Sequence, residues 1–244
     1  MQKNSYKEFS QIYDLLMNDI DYEKWTSFLI SKIGLNKNKI LEAACGTGSI
    51  TCILSENNYK VTAFDLSEDM LMRAYDKLGR NRGVKLLNQN MIDFEIDDKF
   101  DAAICCCDGI NYLKRNEILL FFNRINKHLN SGDKFIFDIS TVYKYKTMYN
   151  ENYVYDDGEV FYVWENMFSE DSNSVDIEIN FFINDSEEKY DRITEIQTQY
   201  IYSVDEIQNI LRSTGFNNIE IYDDYNDVAY NKESLRAVFC CIKM

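Results

Sequence analysis

The chain has 244 residues, is 45% hydrophobic, contains no proline and carries a formal net charge of −15. This length supports one substantial core with an inserted subdomain, and the negative charge argues against nucleic acid as a partner, because phosphates require basic residues. No apolar run approaches the roughly 20 residues of a membrane span, and the first residues lack an apolar signal core. We therefore expect a cytoplasmic protein that does not enter a membrane. Composition leaves monomer and homodimer open.

Strands and helices alternate in the predicted structure up to about residue 140. Helical spacing of apolar residues predicts two N-terminal helices, the second ending at Gly34, and further helices over 48–58, 68–78 and 116–129. Short apolar runs predict strands over 39–44, 59–67, 84–90, 100–107 and 134–140. This alternation is typical of an α/β fold with a doubly wound, mostly parallel sheet, which binds ligands beyond the carboxyl ends of its strands.

The pattern changes after residue 140. Extended segments over 159–168, 174–183 and 193–202, partly with alternating apolar residues, predict an antiparallel β-meander. A capping box at Ser203 and Glu206 predicts the next helix, and two closing strands complete a sheet of seven. We therefore expect residues 1–140 and 203–244 to form one Rossmann-like domain, and residues 141–202 to form an inserted antiparallel lid.

The cysteines and the single histidine give no sign of a metal site. None of the seven cysteines has zinc or redox spacing, and Cys105, Cys106 and Cys107 alternate between the faces of a strand. We interpret the cysteines as buried reduced thiols. His128 is the only histidine, which excludes a histidine-based metal site and a Ser-His-Asp triad. We expect His128 at a helix C-terminus, where it interacts with the helix dipole.

A glycine-containing turn joins the first predicted strand to the next helix, in the segment KILEAACGTGSIT of residues 39–51. Small residues let the backbone turn sharply and approach a ligand, and the free N–H groups of the following helix point towards it. A nicotinamide dinucleotide site would have glycine where Thr51 stands, and the lysine of a P-loop is missing. The turn therefore predicts a ligand of another kind.

Glu42 followed by Ala-Ala-Cys-Gly-Thr-Gly resembles the first motif of class I, Rossmann-like S-adenosylmethionine-dependent methyltransferases, and Asp65 matches the family's second acidic residue. The resemblance implies S-adenosyl-L-methionine as cofactor and S-adenosyl-L-homocysteine as product. It implies that Asp65 binds both ribose hydroxyls, that Leu66 and Met70 pack on adenine, and that Asn90 replaces the usual Asp at the adenine edge. The implied contact residues are Tyr6, Tyr13, Glu42, Ala43, Ala44, Cys45, Gly46, Gly48, Asp65, Leu66, Met70, Asn90, Met91 and, through its backbone, Cys106.

Two features point to a group within this family. The N-terminal tyrosines, Tyr6 and Tyr13, and the predicted lid are similar to those of small-molecule methyltransferases, including glycine and amino-sugar N-methyltransferases and uncharacterised clostridial-type methyltransferases. This likeness implies a small-molecule acceptor, most simply an amine nitrogen, and leaves O-methylation and non-catalytic cofactor binding as alternatives. An amine must be neutral to attack, so Asp108, Tyr112 and Glu165 are the candidate catalytic residues that could take its proton.

Overall fold

A computed structural model describes residues 13, 14, 16, 17, 19–79, 81–149, 151–156, 158, 160–185 and 189–244. Its helices are α1 (Tyr22–Ile33), α2 (Ser49–Glu56), α3 (Glu68–Leu78), α4 (Arg115–His128), α5 (Val142–Met148) and α6 (Val204–Ser213). Its strands are β1 (Lys39–Ala43), β2 (Lys60–Asp65), β3 (Val84–Asn88), β4 (Phe100–Cys105), β5 (Leu129–Ser140), β6 (Tyr153–Asp156), β7 (Val160–Ser169), β8 (Ser174–Asp185), β9 (Lys189–Tyr200), β10 (Phe216–Asp223) and β11 (Arg236–Lys243). A short 3₁₀ helix spans Gly109–Tyr112.

Seven strands form the larger sheet, in the order β10-β11-β5-β4-β1-β2-β3. Strands β1 to β5 pair in parallel, whereas β11 is antiparallel to both β5 and β10. This arrangement confirms the predicted doubly wound, mostly parallel sheet. Glu42 of β1 pairs with Ala63 of β2 and with Ile104 of β4. The carboxyl ends of these three strands therefore meet at one edge, which we call the C-terminal edge.

Aromatic and aliphatic side chains cover both faces of this sheet. On one face, α4 and α6 pack through residues such as Phe122, and the rings of Phe137 and Phe239 stack with centroids 4.9 Å apart. On the other face, Trp25 and Leu29 of α1 pack with α2. Burying these large side chains provides most of the driving force for folding. The result is a rigid platform beneath the C-terminal edge.

The second sheet is the predicted antiparallel meander, with the strand order β6-β7-β8-β9. We call it the lid sheet. Its inner face buries Ile177 and Phe181 of β8 against Met70 and Tyr145, with Tyr13 packed beside them. Because Met70 belongs to α3 and Tyr145 follows β5, the lid sheet lies over the C-terminal edge of the larger sheet.

Three local features of the structure differ from the sequence prediction. Strand β5 begins at Leu129, so the sequence SGD lies within a strand with an irregular register rather than between α4 and the strand. Helix α5 was not predicted; its N-cap is Thr141, whose side chain accepts from the Lys144 N–H at 3.1 Å. Strand β6 also escaped prediction, because all four of its residues are exposed and show no alternation.

The predicted helix boundaries at Gly34 and Ser203 and the predicted helix over 68–78 are confirmed, and Ser203 forms a complete capping box. Most of the first predicted helix, including Tyr6, lies outside the described residues. In the part of the chain that the structure covers, every helix is too short or too polar to cross a membrane. The boundaries assigned to the two domains stay predictions.

Candidate active site

The glycine turn folds as it does because its residues adopt backbone angles that favour glycine. Gly46 and Gly48 have φ angles of 54° and 75°, in the left-handed region. A Cβ atom on Gly48 would lie 2.9 Å from the Cβ of Ala74, so α3 approaches the turn too closely for a side chain. At Gly46 and Gly48 the turn therefore presents backbone without side chains at the C-terminal edge.

Asp65, at the end of β2, is fixed beside this turn by two backbone hydrogen bonds. Its Oδ2 accepts from the Gly46 N–H at 2.8 Å, and its Oδ1 accepts from the Ser67 N–H at 2.9 Å. Burial raises the pKa of the carboxyl, and these hydrogen bonds oppose the rise. A carboxylate has about four lone-pair sites. Each oxygen therefore keeps the capacity to accept a further hydrogen bond from a ligand.

Glu42, at the end of β1, is a buried carboxylate that is only 3% exposed. Its Oε2 accepts from the Thr51 hydroxyl at 2.6 Å. Burial raises the pKa of Glu42 to about 7, the nearby charge of Asp65 adds to the rise, and the hydrogen bond from Thr51 opposes it. Glu42 therefore changes charge close to neutral pH.

A narrow cavity of about 30 Å³ lies between the glycine turn, the end of β4 and Tyr13. The neighbouring Asp14 is fixed beside the turn, because its Oδ1 accepts from the Thr47 hydroxyl at 2.6 Å and from the Lys77 ammonium at 2.8 Å. These bonds hold Tyr13 over the turn. The structure thus brings together six predicted site residues: Tyr13, Glu42, Ala44, Cys45, Gly46 and Cys106.

The residues predicted to contact adenine lie near the ends of β2 and β3. Leu66 is 68% exposed, whereas Met70 is buried beneath the lid sheet. Asn90 accepts from the Ile92 N–H at 3.2 Å through its Oδ1, and Met91 packs against the main core. The exposed side chain of Leu66 next to the fixed Asp65 leaves an apolar surface accessible at this edge.

Asp108 lies just beyond β4 in a buried charge network. Its backbone N–H donates to Asp138 at 2.8 Å, and the Arg236 guanidinium donates to Asp108 at 3.1 Å and to Asp138. Gln199 of the lid sheet donates to the other Asp108 oxygen at 2.9 Å. Burial alone would raise the pKa of Asp108, but Arg236 and Lys144 hold it below its ordinary value. Asp108 therefore stays ionised and is poorly suited to take a proton.

The other two catalytic candidates are placed differently. Tyr112 is 41% exposed, and its hydroxyl donates to Gln197 of the lid sheet at 2.8 Å. Glu165 is exposed and pairs across β7 and β8 with Glu178, whereas its neighbour Trp164 pairs with the buried Ile179. Glu165 therefore lies on the outer face of the lid sheet, and the structure does not bring it to the site.

Four polar residues near the C-terminal edge escaped the sequence interpretation: Lys144, Glu195, Gln199 and Arg236. Lys144 donates to the Ser140 hydroxyl at 3.1 Å, and burial lowers the pKa of its ammonium group. Glu195 alternates in phase with Ile193 along β9, so a charged residue occupies an inward position. This phase was visible in the sequence. Arg236 carries no comparable signal, because it stands at the start of a closing strand.

The cysteines and His128 form no metal cluster among the described residues, although Cys45 and Cys106 line the cavity. All seven cysteines are free, and no group of three or more metal-ligating side chains occurs among the described residues. His128 ends α4, and its Nδ1 lies 2.7 Å from the Arg124 carbonyl oxygen. The position of His128 at the helix C-terminus is therefore as predicted.

Comparison with known proteins identifies the family to which this chain belongs. A model of the methyltransferase domain matches residues 40–132. YqeM of Bacillus subtilis, a protein named as a methyltransferase, is 32% identical over 237 residues that cover 96% of this chain and 95% of YqeM. A crystal structure of an S-adenosylmethionine-dependent methyltransferase from Clostridium acetobutylicum shares 34% identity and a TM-score of 0.87, covering 98% of this chain and 99% of the other. The chain belongs to the S-adenosylmethionine-dependent methyltransferases.

A more distant likeness concerns the fold alone. The sugar N-methyltransferase KedS8 from Streptoalloteichus sp. superposes with a TM-score of 0.77 at 18% identity, covering 95% of this chain and 92% of KedS8. The membership of this chain in the family, rather than this distant likeness, shows that it uses S-adenosylmethionine. The fixed carboxylate of Asp65 and the bare backbone at Gly46 and Gly48 fit that molecule, since they offer acceptors for hydroxyls and room for close approach.

Proposed function

We propose that this methyltransferase transfers the methyl group of S-adenosylmethionine to an amine nitrogen of a small molecule. One observation carries the choice of acceptor: the inner face of the lid sheet holds the buried carboxylate of Glu195 on the same strand as the amides of Gln197 and Gln199. Gln199 and Gln197 bond to Asp108 and Tyr112 at the end of β4. A buried carboxylate favours a ligand of positive charge.

The cofactor would be held by residues at the ends of three strands. Asp65 would bind the ribose hydroxyls, the glycine turn and Glu42 would contact the methionine part, and the Cys106 backbone would lie beside it. The remaining contacts in this proposal are Tyr6, Tyr13, Ala43, Ala44, Cys45, Gly46 and Gly48, with Leu66, Met70, Asn90 and Met91 around adenine. S-adenosylmethionine supplies an electrophilic methyl group on a positively charged sulfur.

The chain itself supplies positioning and exclusion of water. The Arg236 guanidinium fixes Asp108 in its ionised form, and Asp108 accepts from Gln199, so this pair would hold the lid sheet over the end of β4 and help to position the acceptor. Tyr112, half-exposed and bonded to the lid sheet, would line the entrance. Residues 141–202 would act as the lid and substrate subdomain. The N-methylation by KedS8, which shares this fold, agrees with the proposal.

Calorimetry with S-adenosylmethionine, followed by a turnover assay, tests the proposal. A set of small amines and their matched alcohols is incubated with the protein and the cofactor, and S-adenosylhomocysteine is quantified. We expect binding at micromolar concentrations and turnover with amines. Lack of binding at hundreds of micromolar would contradict the cofactor assignment. Methylation of alcohols alone would favour an O-methyltransferase, and binding without any turnover would favour a non-catalytic protein.

A further inference from the structure

One carboxylate lies on the inner face of the lid sheet, among apolar side chains. Glu195 of β9 is 2% exposed and pairs across the strands with Ile179 of β8. Ile193, two residues earlier on the same face, is also buried. A charged residue at such a position is unusual, because moving a carboxylate out of water is costly unless it is paired.

Glu195 has little compensation for that cost. Its carboxylate receives one hydrogen bond in the described structure, from the Gln197 side-chain amide at the long distance of 3.4 Å. No lysine or arginine forms an ion pair with it in the part of the chain that the structure covers. Burial accordingly raises the pKa of Glu195. A ligand with positive charge would supply the missing partner.

Glu195 lies on the same face of β9 as two residues that contact the end of β4, where the methyl acceptor is proposed to bind. Gln197, the next inward residue, accepts a hydrogen bond from Tyr112 at 2.8 Å, and Gln199, the one after, donates to Asp108 at 2.9 Å. Alternate residues of a strand are about 7 Å apart. A polar strip therefore runs along β9 from the end of β4, past the exposed Tyr112, to the buried Glu195.

Two titratable groups at the end of β4 are less suited than Glu195 to bind a cationic amine. Asp108 is already bonded to Arg236 and Gln199. Lys144 donates to the Ser140 hydroxyl, and the Arg236 charge acts on it. A second cation beside Lys144 and Arg236 would meet repulsion from both. Glu195 has no such competitor.

We propose that Glu195 binds a protonated amine of the acceptor, which makes the protein selective for cationic amines with an apolar body. This inference rests on the proposed function. The apolar body would pack on the inner face of the lid sheet, beside Ile177, Ile179 and Trp164.

Binding of matched probes to the protein saturated with S-adenosylhomocysteine tests this role. Benzylamine and phenethylamine are each compared with benzyl alcohol and 2-phenylethanol by calorimetry. We expect the wild type to bind each amine at least tenfold more tightly than its alcohol. The Glu195→Gln variant, which keeps the shape of the side chain, should lose that preference, as should Glu195→Met.

Glu178→Gln is the matched control, since Glu178 lies on the outer face of the same sheet. It should keep the preference for amines. The proposal is overturned if the wild type binds amines no better than alcohols, or if Glu195→Gln keeps the wild-type preference. S-adenosylmethionine binding to Glu195→Gln is measured in parallel and should be unchanged. Loss of cofactor binding in the wild type would instead refute the proposed function.

Discussion

Replacing Glu42 with glutamine should make the protein more stable at alkaline pH. The pKa of Glu42 rises from 4.5 to about 7 because the carboxylate is buried. Between these values the folded protein holds a proton that the unfolded chain releases, so the free energy of unfolding decreases as pH rises through this window. At about 1.4 kcal/mol per pH unit, the full loss is about 3 kcal/mol, of which about 2 kcal/mol falls between pH 5.5 and 8.5.

Urea unfolding at pH 5.5 and 8.5, without cofactor, measures this effect. Glutamine keeps an oxygen that can accept from Thr51, so the variant removes the charge and little else. The stability of Glu42→Gln relative to wild type should increase by about 2 kcal/mol between the two pH values. Glu23→Gln, at an exposed position of α1, controls for the loss of one negative charge. An equal difference between Glu42→Gln and wild type at both pH values would refute the reasoning.

Three further predictions concern the residues proposed to bind the cofactor and the buried charge network around Arg236. Asp65→Ala should weaken S-adenosylmethionine binding by about 1.5–3 kcal/mol for each charged hydrogen bond lost; an unchanged dissociation constant in calorimetry would show that the residue is misassigned. Gly48→Ala should lower the free energy of unfolding by about 1–3 kcal/mol more than Gly46→Ala, because only the first added methyl group meets Ala74; equal losses in urea would contradict this. Arg236→Met should destabilise the fold by about 3–5 kcal/mol, since it leaves two buried carboxylates without their cation; a loss below about 1 kcal/mol would count against the network.

The larger sheet and the glycine turn could be predicted because their signals are local. A short apolar run, two glycines and a carboxylate lie within a dozen residues, and the alternation with helices fixes the direction of the strands. The capping boxes and helix ends are local for the same reason. Strand β6 could not be found this way, since its pairing with β7 rather than its own pattern makes it a strand.

The part of the site that is proposed to bind the methyl acceptor depends on contacts between distant parts of the chain. Asp108 meets Arg236 across 128 positions of sequence and Gln199 across 91, so no spacing rule reveals these pairs. The choice of Glu165 rested on its place in a lid strand, but a strand has two faces and the outer one carries this residue. Glu195 lies on the inner face, as its alternation with Ile193 indicates and its pairing with Ile179 of β8 confirms.

Transfer of an isotopically labelled methyl group tests the central claim most directly. The protein is incubated with S-adenosylmethionine carrying a trideuterated methyl group and with the matched amines and alcohols, and the products are analysed by mass spectrometry. We predict that the label appears on the nitrogen of an amine, with equimolar S-adenosylhomocysteine. Label on oxygen alone, or no transfer to any amine from a protein that binds the cofactor, would contradict the account.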